Sequence, residues 1–279
     1  MSRRTDNRHR VATICREATG LPHHICLQWA ADGLISRGLP VPDAESAAQR
    51  AFEARVVVAL ADALTYERTH GALLGITAVW PTASGLGIEL DPRTSHRVFA
   101  ALMPMLDAES GALAGVPGLR RGHRWDGGLH LRCAAGGGAI RLLPSAPAWQ
   151  RPLSRAGAIA LGYGDTPLHG AERARLEDWD RGTAARDRLL SRVLRRPRVL
   201  NAVGAAHGRA NTYGHGRSDL VIEWDADPGI AAVERGFRRS GLAAPDPGAG
   251  PPGPSTVGTI TLGGAKLVLR TTGEVCPAC

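Results

Sequence analysis

The run DAESAAQRAFEARVVVALADAL, residues 43–64, constrains the fold more than any other stretch of the chain. Ala48, Phe52, Val56, Ala59, Leu60, Ala63 and Leu64 recur at helical spacing, and Asp43 stands where an N-cap belongs, so the pattern predicts one long amphipathic helix. Beyond residue 66 the period changes. ALLGITAVW (72–80) and LGIELD (86–91) flank a Pro-Thr-Ala-Ser-Gly turn, and SHRVFAALMPML (95–106) returns to helical spacing. GLHLRCAAGGGAIRLL (128–143) reads as a hairpin across Gly136, Gly137 and Gly138.

The same order then recurs. A long helix is expected over GAERARLEDWDRGTAARDRLLSRVLRR (170–196), with Leu176, Trp179, Leu190, Val193 and Leu194 inward. After it come RVLNAVGAA (198–206) and SDLVIEWD (218–225) as strands and GIAAVERGFRRSGL (229–242) as a helix. A Pro/Gly-rich loop from Pro245 to Pro254 and the hairpin GTITLGGAKLVLR (258–270) complete the series. Ile88-Glu89-Leu90-Asp91 matches Ile222-Glu223-Trp224-Asp225, each just before a proline-marked helix start. The expected fold class is α+β. An N-terminal helical, helix-turn-helix-like module over 1–66 precedes a body over 67–279, in which two ββαββ units (70–145 and 198–273), read as an internal duplication, are joined by a long helix (168–197).

Residues 14–35, ICREATGLPHHICLQWAADGLI, carry the sharpest functional signal. A helix-turn-helix needs a residue free to reverse the chain, and Gly20 supplies it. Cys15, Ala18 and Leu21 are spaced to meet Cys26 and Trp29, and Pro22 suits the first turn of the second helix, where no amide hydrogen bond is lost. Ahead of this pair, MSRRTDNRHR forms a basic arm expected to be mobile. The stretch resembles the opening of MerR-type and excisionase-like regulators, the match being carried by Thr19-Gly20-Leu21, Trp29 and Gly33-Leu34-Ile35. It departs from them in having Leu27 and Gln28 where those families place a recognition arginine. The wing position reads SRGLPVPD, with Arg37 and Gly38 but no aromatic. The resemblance implies duplex DNA as a partner. His23, His24 and Gln28 would then face base edges, while Arg8, Arg10, Arg16 and Arg37 neutralise phosphates.

The charge balance points the same way. The net charge of +8 and pI of about 10.0 favour a polyanionic partner, although only Lys266 among 34 basic residues is a lysine, so clustering counts for more than the total. Arg186, Arg188, Arg192, Arg195, Arg196 and Arg198 follow one another with only Asp187 to offset them, and Arg120, Arg121 and Arg124 form a smaller group beside Trp125. Both read as a secondary basic surface.

A second function class competes. His207, His215, Asp219, Glu223 and Asp225 gather within HGRANTYGHGRSDLVIEWD (207–225) and could hold a divalent metal for a nuclease or phosphotransferase, with His215 as base and Arg217 on the phosphate. The closing VCPAC places Cys276 and Cys279 at the spacing of half a zinc site or a redox pair. A protein-interaction scaffold without catalysis is the third reading. The sequence favours DNA binding in a regulatory or mobile-element role, with no catalytic residue and no cofactor, and with a homodimer as a further expectation. No stretch approaches the roughly 18 to 20 uninterrupted apolar residues of a membrane span, and no apolar signal core follows the arm, so the expected compartment is the cytoplasm.

Overall fold

The helical patterning of the first residues resolves into α1 (Ser2–Thr19), α2 (His23–Ala31) and α3 (Ala47–Leu64). The computed structural model describes residues 2–64, 73–125, 128–143, 153, 157–202, 210–215, 219–224, 229–243 and 256–271. The basic arm is not a separate lead, because residues 2–10 form the opening turns of α1. Ser46 rather than Asp43 caps α3: its hydroxyl accepts a hydrogen bond from the Gln49 amide at 3.0 Å. Asp43 instead accepts from the Arg192 guanidinium at 2.9 Å.

The body follows as β1 (Ile76–Pro81), β2 (Leu86–Leu90), α4 (Ser95–Leu102), β3 (Met105–Asp107), β4 (Leu113–Ala114), β5 (Leu119–Trp125), β6 (Gly128–Cys133), β7 (Ala139–Leu143) and β8 (Ala158–Ala160). Then come α5 (Gly170–Asp180), α6 (Ala184–Leu194), α7 (Val199–Ala202), β9 (Ala210–His215), β10 (Asp219–Trp224), α8 (Ile230–Arg239), β11 (Val257–Leu262) and β12 (Ala265–Thr271). The fold is mixed α+β, helical at its N-terminal part and β-rich after it. Among the described residues, no helix is long and apolar enough to cross a membrane.

The two main sheets share one plan. In the first, ordered β1-β2-β7-β6-β5, hairpin β1–β2 lies beside hairpin β6–β7, with β2 and β7 parallel at the centre. In the second, ordered β11-β12-β10-β9, hairpin β9–β10 lies beside β11–β12, with β10 and β12 parallel. Parallel neighbours need a crossover, and α4 and α8 provide it. Ile88 sits opposite Leu142 and Ile222 opposite Leu269, so the first three residues of each matched tetrapeptide occupy equivalent strands. Glu89 and Glu223 are each the half-buried position of a strand otherwise buried from residue 86 to 90 or 220 to 224. The first unit carries additions: β5 widens its sheet, and β4-β3-β8 form a small third sheet.

Three boundaries differ from the sequence expectation. The helix over 95–106 stops at Leu102, ahead of Pro104, and Met105–Asp107 become a strand. The long helix over 170–196 is two helices: Thr183 accepts from the Arg186 amide at 3.2 Å and starts α6 afresh beyond Gly182. The first half of RVLNAVGAA is not a strand: Val199–Ala202 form the short α7, held against the end of α1 by the Arg198 amide donating to the Ala18 carbonyl at 3.0 Å, while residues 203–206 lie outside the described residues.

Helices α3 and α6 pack together in the main core. Phe52, Val56, Leu60 and Leu64 are buried as the spacing requires, but Ala48 and Ala63 are exposed and Gln49, Glu53 and Arg55 lie inside. A helix covered on most sides has no solvent face on which to place its polar residues, so each needs an interior partner. Gln49 pairs with both backbone groups of Ala139 on β7, at 2.8 and 2.9 Å, as a neighbouring strand would. Glu53 accepts from Gln49, from Ser191 at 2.6 Å and from Arg195.

Candidate nucleic-acid interface

Helices α1 and α2 meet over a small core of their own: Val11, Ala12, Cys15, Leu21, Cys26 and Ile35, with Trp29 and Trp80 packed at its margin. Of the residues expected to lock the pair, Cys15, Leu21, Cys26 and Trp29 do so, whereas Ala18 belongs to the main core. Thr19 closes α1 by donating its hydroxyl to the Cys15 carbonyl at 2.7 Å. Gly20 then turns the chain at φ +80, and a Cβ there would lie 2.4 Å from the Thr77 carbonyl oxygen on β1. The corner is therefore pressed against the first sheet, and only glycine meets both demands. Gly20→Ala is expected to cost about 2 kcal/mol or more, read by urea denaturation. A cost within experimental error would mean that the corner does not rest on β1.

This corner fixes which residues of α2 point outward. Cys26 is the one fully buried residue of the helix, while His24 and Gln28 are exposed. His23 does not point outward as expected: it is half-buried and stacks on His9 of α1, ring centroids 5.9 Å apart, with Nδ1 buried and unpartnered among the described residues. Gln28 donates from Nε2 to Asp32 Oδ1 at 2.8 Å, so its amide is held by a residue of its own helix end. Arg8, Arg10, Arg16 and Arg37 are all exposed. Past α2, Ser36 and Leu39 exchange backbone hydrogen bonds at 3.0 and 3.1 Å, which sets Arg37 and Gly38 at the tip of a tight turn. Leu34 and Leu39 are exposed on either side of that tip.

The secondary basic surface is corrected. Arg120, Arg195 and Arg196 are interior residues. All five N–H groups of Arg195 are used, on Glu53 and on the carbonyls of Pro42, Thr82 and Gly85. Arg120 likewise spends its donors on Glu172 and on the carbonyls of Leu119, Thr166 and Pro167. Arg196 donates to the carbonyls of Ser240, Arg192, Val41 and Gly241, and burial pulls it down to about 10. Arg192 is half-buried on Asp43, Arg186 lies 3.8 Å from the centre of the Trp179 ring, and Arg121 is half-buried beside Tyr163. Arg188 alone of the α6 group is exposed, and Arg124 is described only by its backbone, opposite Leu129. The buried guanidinium groups of Arg120, Arg195 and Arg196 thus satisfy backbone carbonyls as well as carboxylates.

The competing cluster is only partly within view. His207 and Asp225 fall outside the described residues, as do Cys276 and Cys279. His215 and Asp219 face each other as backbone partners where β9 and β10 meet, and Glu223 pairs with Asn211 four positions further on. Among the described residues no three His, Cys, Asp or Glu side chains converge on a point that could hold a metal ion. Sequence reasoning missed the His9–His23 stack, the Gln28–Asp32 bond and the contact of Trp80 with the helix pair. The i, i+4 spacing of Gln28 and Asp32 was the one local signal that could have given any of them. Compared with protein-family models, curated proteins and solved structures, the chain matches none.

Proposed function

We propose that the chain binds duplex DNA through the α1–α2 corner, in a regulatory or mobile-element role, with the repeated body serving dimerisation or ligand sensing. One observation carries this reading. The exposed arginines Arg8, Arg10 and Arg16 on α1 and Arg37 just past α2 flank in sequence a short helix whose free face offers His24 and Gln28, whereas Arg120, Arg195 and Arg196 of the body are taken up by interior partners. A glutamine amide can pair bidentately with adenine once Asp32 releases it, and the arginines would hold the phosphates on either side. A DNA partner places the protein inside the cell.

The test is a salt titration of the full chain on a mixed-sequence duplex, followed by fluorescence anisotropy. Four phosphate contacts predict that log K falls against log salt with a slope of about −3 to −4, and Arg16→Ala should reduce its magnitude by about one. Arg93→Ala, which removes an exposed arginine paired with Asp91 just past β2, should leave the slope unchanged. Binding that ignores ionic strength, or an Arg16 substitution no different from that of Arg93, rules the reading out. Gln28→Ala should instead narrow the difference between preferred and random duplexes without altering the slope.

A further inference from the structure

Cys15 on α1 and Cys26 on α2 are both completely buried, in the same six-residue core and on facing helices. They share that core across the packed α1–α2 interface. The residues around them are small where the helices cross, Ala12 being fully buried beside Cys15 and Ala30 packed at the margin, which lets the helix axes approach closely. Neither sulfur contacts a cysteine elsewhere among the described residues. Cys133, the remaining free cysteine described, sits at the end of β6 against Arg55.

We propose that Cys15 and Cys26 form a reversible dithiol–disulfide pair, which a hydroperoxide oxidises to an intramolecular disulfide that pins α1 to α2 across the Thr19-Gly20 turn. The assignment stands on this geometry and does not depend on whether the corner binds DNA. The two thiols divide the roles. Interaction with Cys15 holds the Cys26 thiol below its ordinary value, and Arg16 adds to the effect against the opposing pull of burial. Interaction with Cys26 and burial push Cys15 up. Cys26 is therefore the sulfur that attacks and Cys15 the one that resolves.

The chemistry balances in two steps. The Cys26 thiolate attacks one peroxide oxygen, the O–O bond breaks, and Cys26 becomes a sulfenic acid as hydroxide leaves. The Cys15 sulfur then attacks the Cys26 sulfur, the S–O bond breaks, and the Cys15 proton departs with that oxygen as water. Two thiols are oxidised by two electrons, and one peroxide is reduced to two waters. Both thiols are fully buried, so the peroxide reaches them through local opening of this small core, which is separate from the main one.

The full chain is treated with hydrogen peroxide, alkylated, and digested with trypsin without reduction. Cleavage after Arg10, Arg16 and Arg37 separates residues 11–16 from 17–37 unless a disulfide joins them. The expected product is this peptide pair, lighter by two hydrogens than its separate halves and restored to them by dithiothreitol. In Cys15→Ser, Cys26 should stop at the sulfenic acid and be captured by dimedone. The oxidised wild type should also melt several degrees above the reduced form, since the link restricts the unfolded chain. Recovery of both peptides with free thiols while Cys133 reacts, or a melting point that falls on oxidation, overturns the proposal.

Discussion

Arg195→Met is expected to lower the stability of the chain by about 3–5 kcal/mol, measured by urea denaturation, and its melting temperature by roughly 10 °C. Arg195 and Glu53 are both fully buried, and their two hydrogen bonds are 2.6 and 2.8 Å long. Losing the guanidinium leaves a carboxylate inside the core with only Gln49 and Ser191 to support it. It also strips a donor from the carbonyls of Pro42, Thr82 and Gly85, which belong to the stretch before α3 and to the β1–β2 turn. One side chain thus joins α6, α3 and the first sheet. Glu53→Leu combined with Arg195→Met removes the stranded charge and should recover part of the loss. It should not recover all of it, because the three carbonyls stay unpaired. A single substitution costing less than about 1 kcal/mol would show that solvent reaches the pair.

Glu172→Gln is the second large effect, expected at about 3 kcal/mol, because it leaves Arg120 buried beside a neutral amide. Glu172 has three tasks. It accepts from Arg120 at 2.7 and 2.8 Å, from the Gly118 amide at 2.9 Å, and from the His169 amide at 2.9 Å, which completes the capping box at the start of α5. Burial works against its charge, but the Arg120 hydrogen bonds and the two amides outweigh that and hold the carboxyl below the ordinary glutamate value of 4.5. A depressed native value means that the stabilisation is present above the unfolded-chain pKa and is lost as pH falls through the native one. Wild-type stability should therefore begin to drop below about pH 5, and the Gln variant should show a shallower acid slope over the same range. Parallel slopes for the two proteins would assign the acid loss to other carboxylates.

What could be read from the residues alone follows how local the signal is. The corner at Thr19-Gly20-Leu21 was legible because turn chemistry and helical spacing act within a dozen residues. The glycine hairpins after β6 and β11, and the Ile-Glu tetrapeptides on β2 and β10, were legible for the same reason. The arginines were not. Arg195 finds Glu53 at a separation of 142 residues and Arg120 finds Glu172 at 52, and no window along the chain brings those partners together. Reading unopposed charge as exposed charge therefore failed for Arg120, Arg195 and Arg196. The helical stripe of α3 failed at Gln49, Glu53 and Arg55 because that helix is enclosed on several sides rather than half-immersed. The start of RVLNAVGAA misled because a short apolar run suits a buried helical turn as well as a strand, and docking of Val199–Ala202 on α1 decided between them.

The placement of β12 between β11 and β10 has a consequence for synthesis. A nascent chain that has emerged only as far as Leu262 already contains β9, β10, α8 and β11, yet lacks the strand through which the two hairpins touch. Until residues 265–271 slide into the gap, Leu220 and Ile222 have no parallel neighbour and β11 has nothing to bond to. The first sheet closes some 130 residues earlier on the ribosome, when β7 arrives. The two halves of one design thus ripen at different times, and the younger half keeps its centre open from the emergence of β10 until β12 arrives.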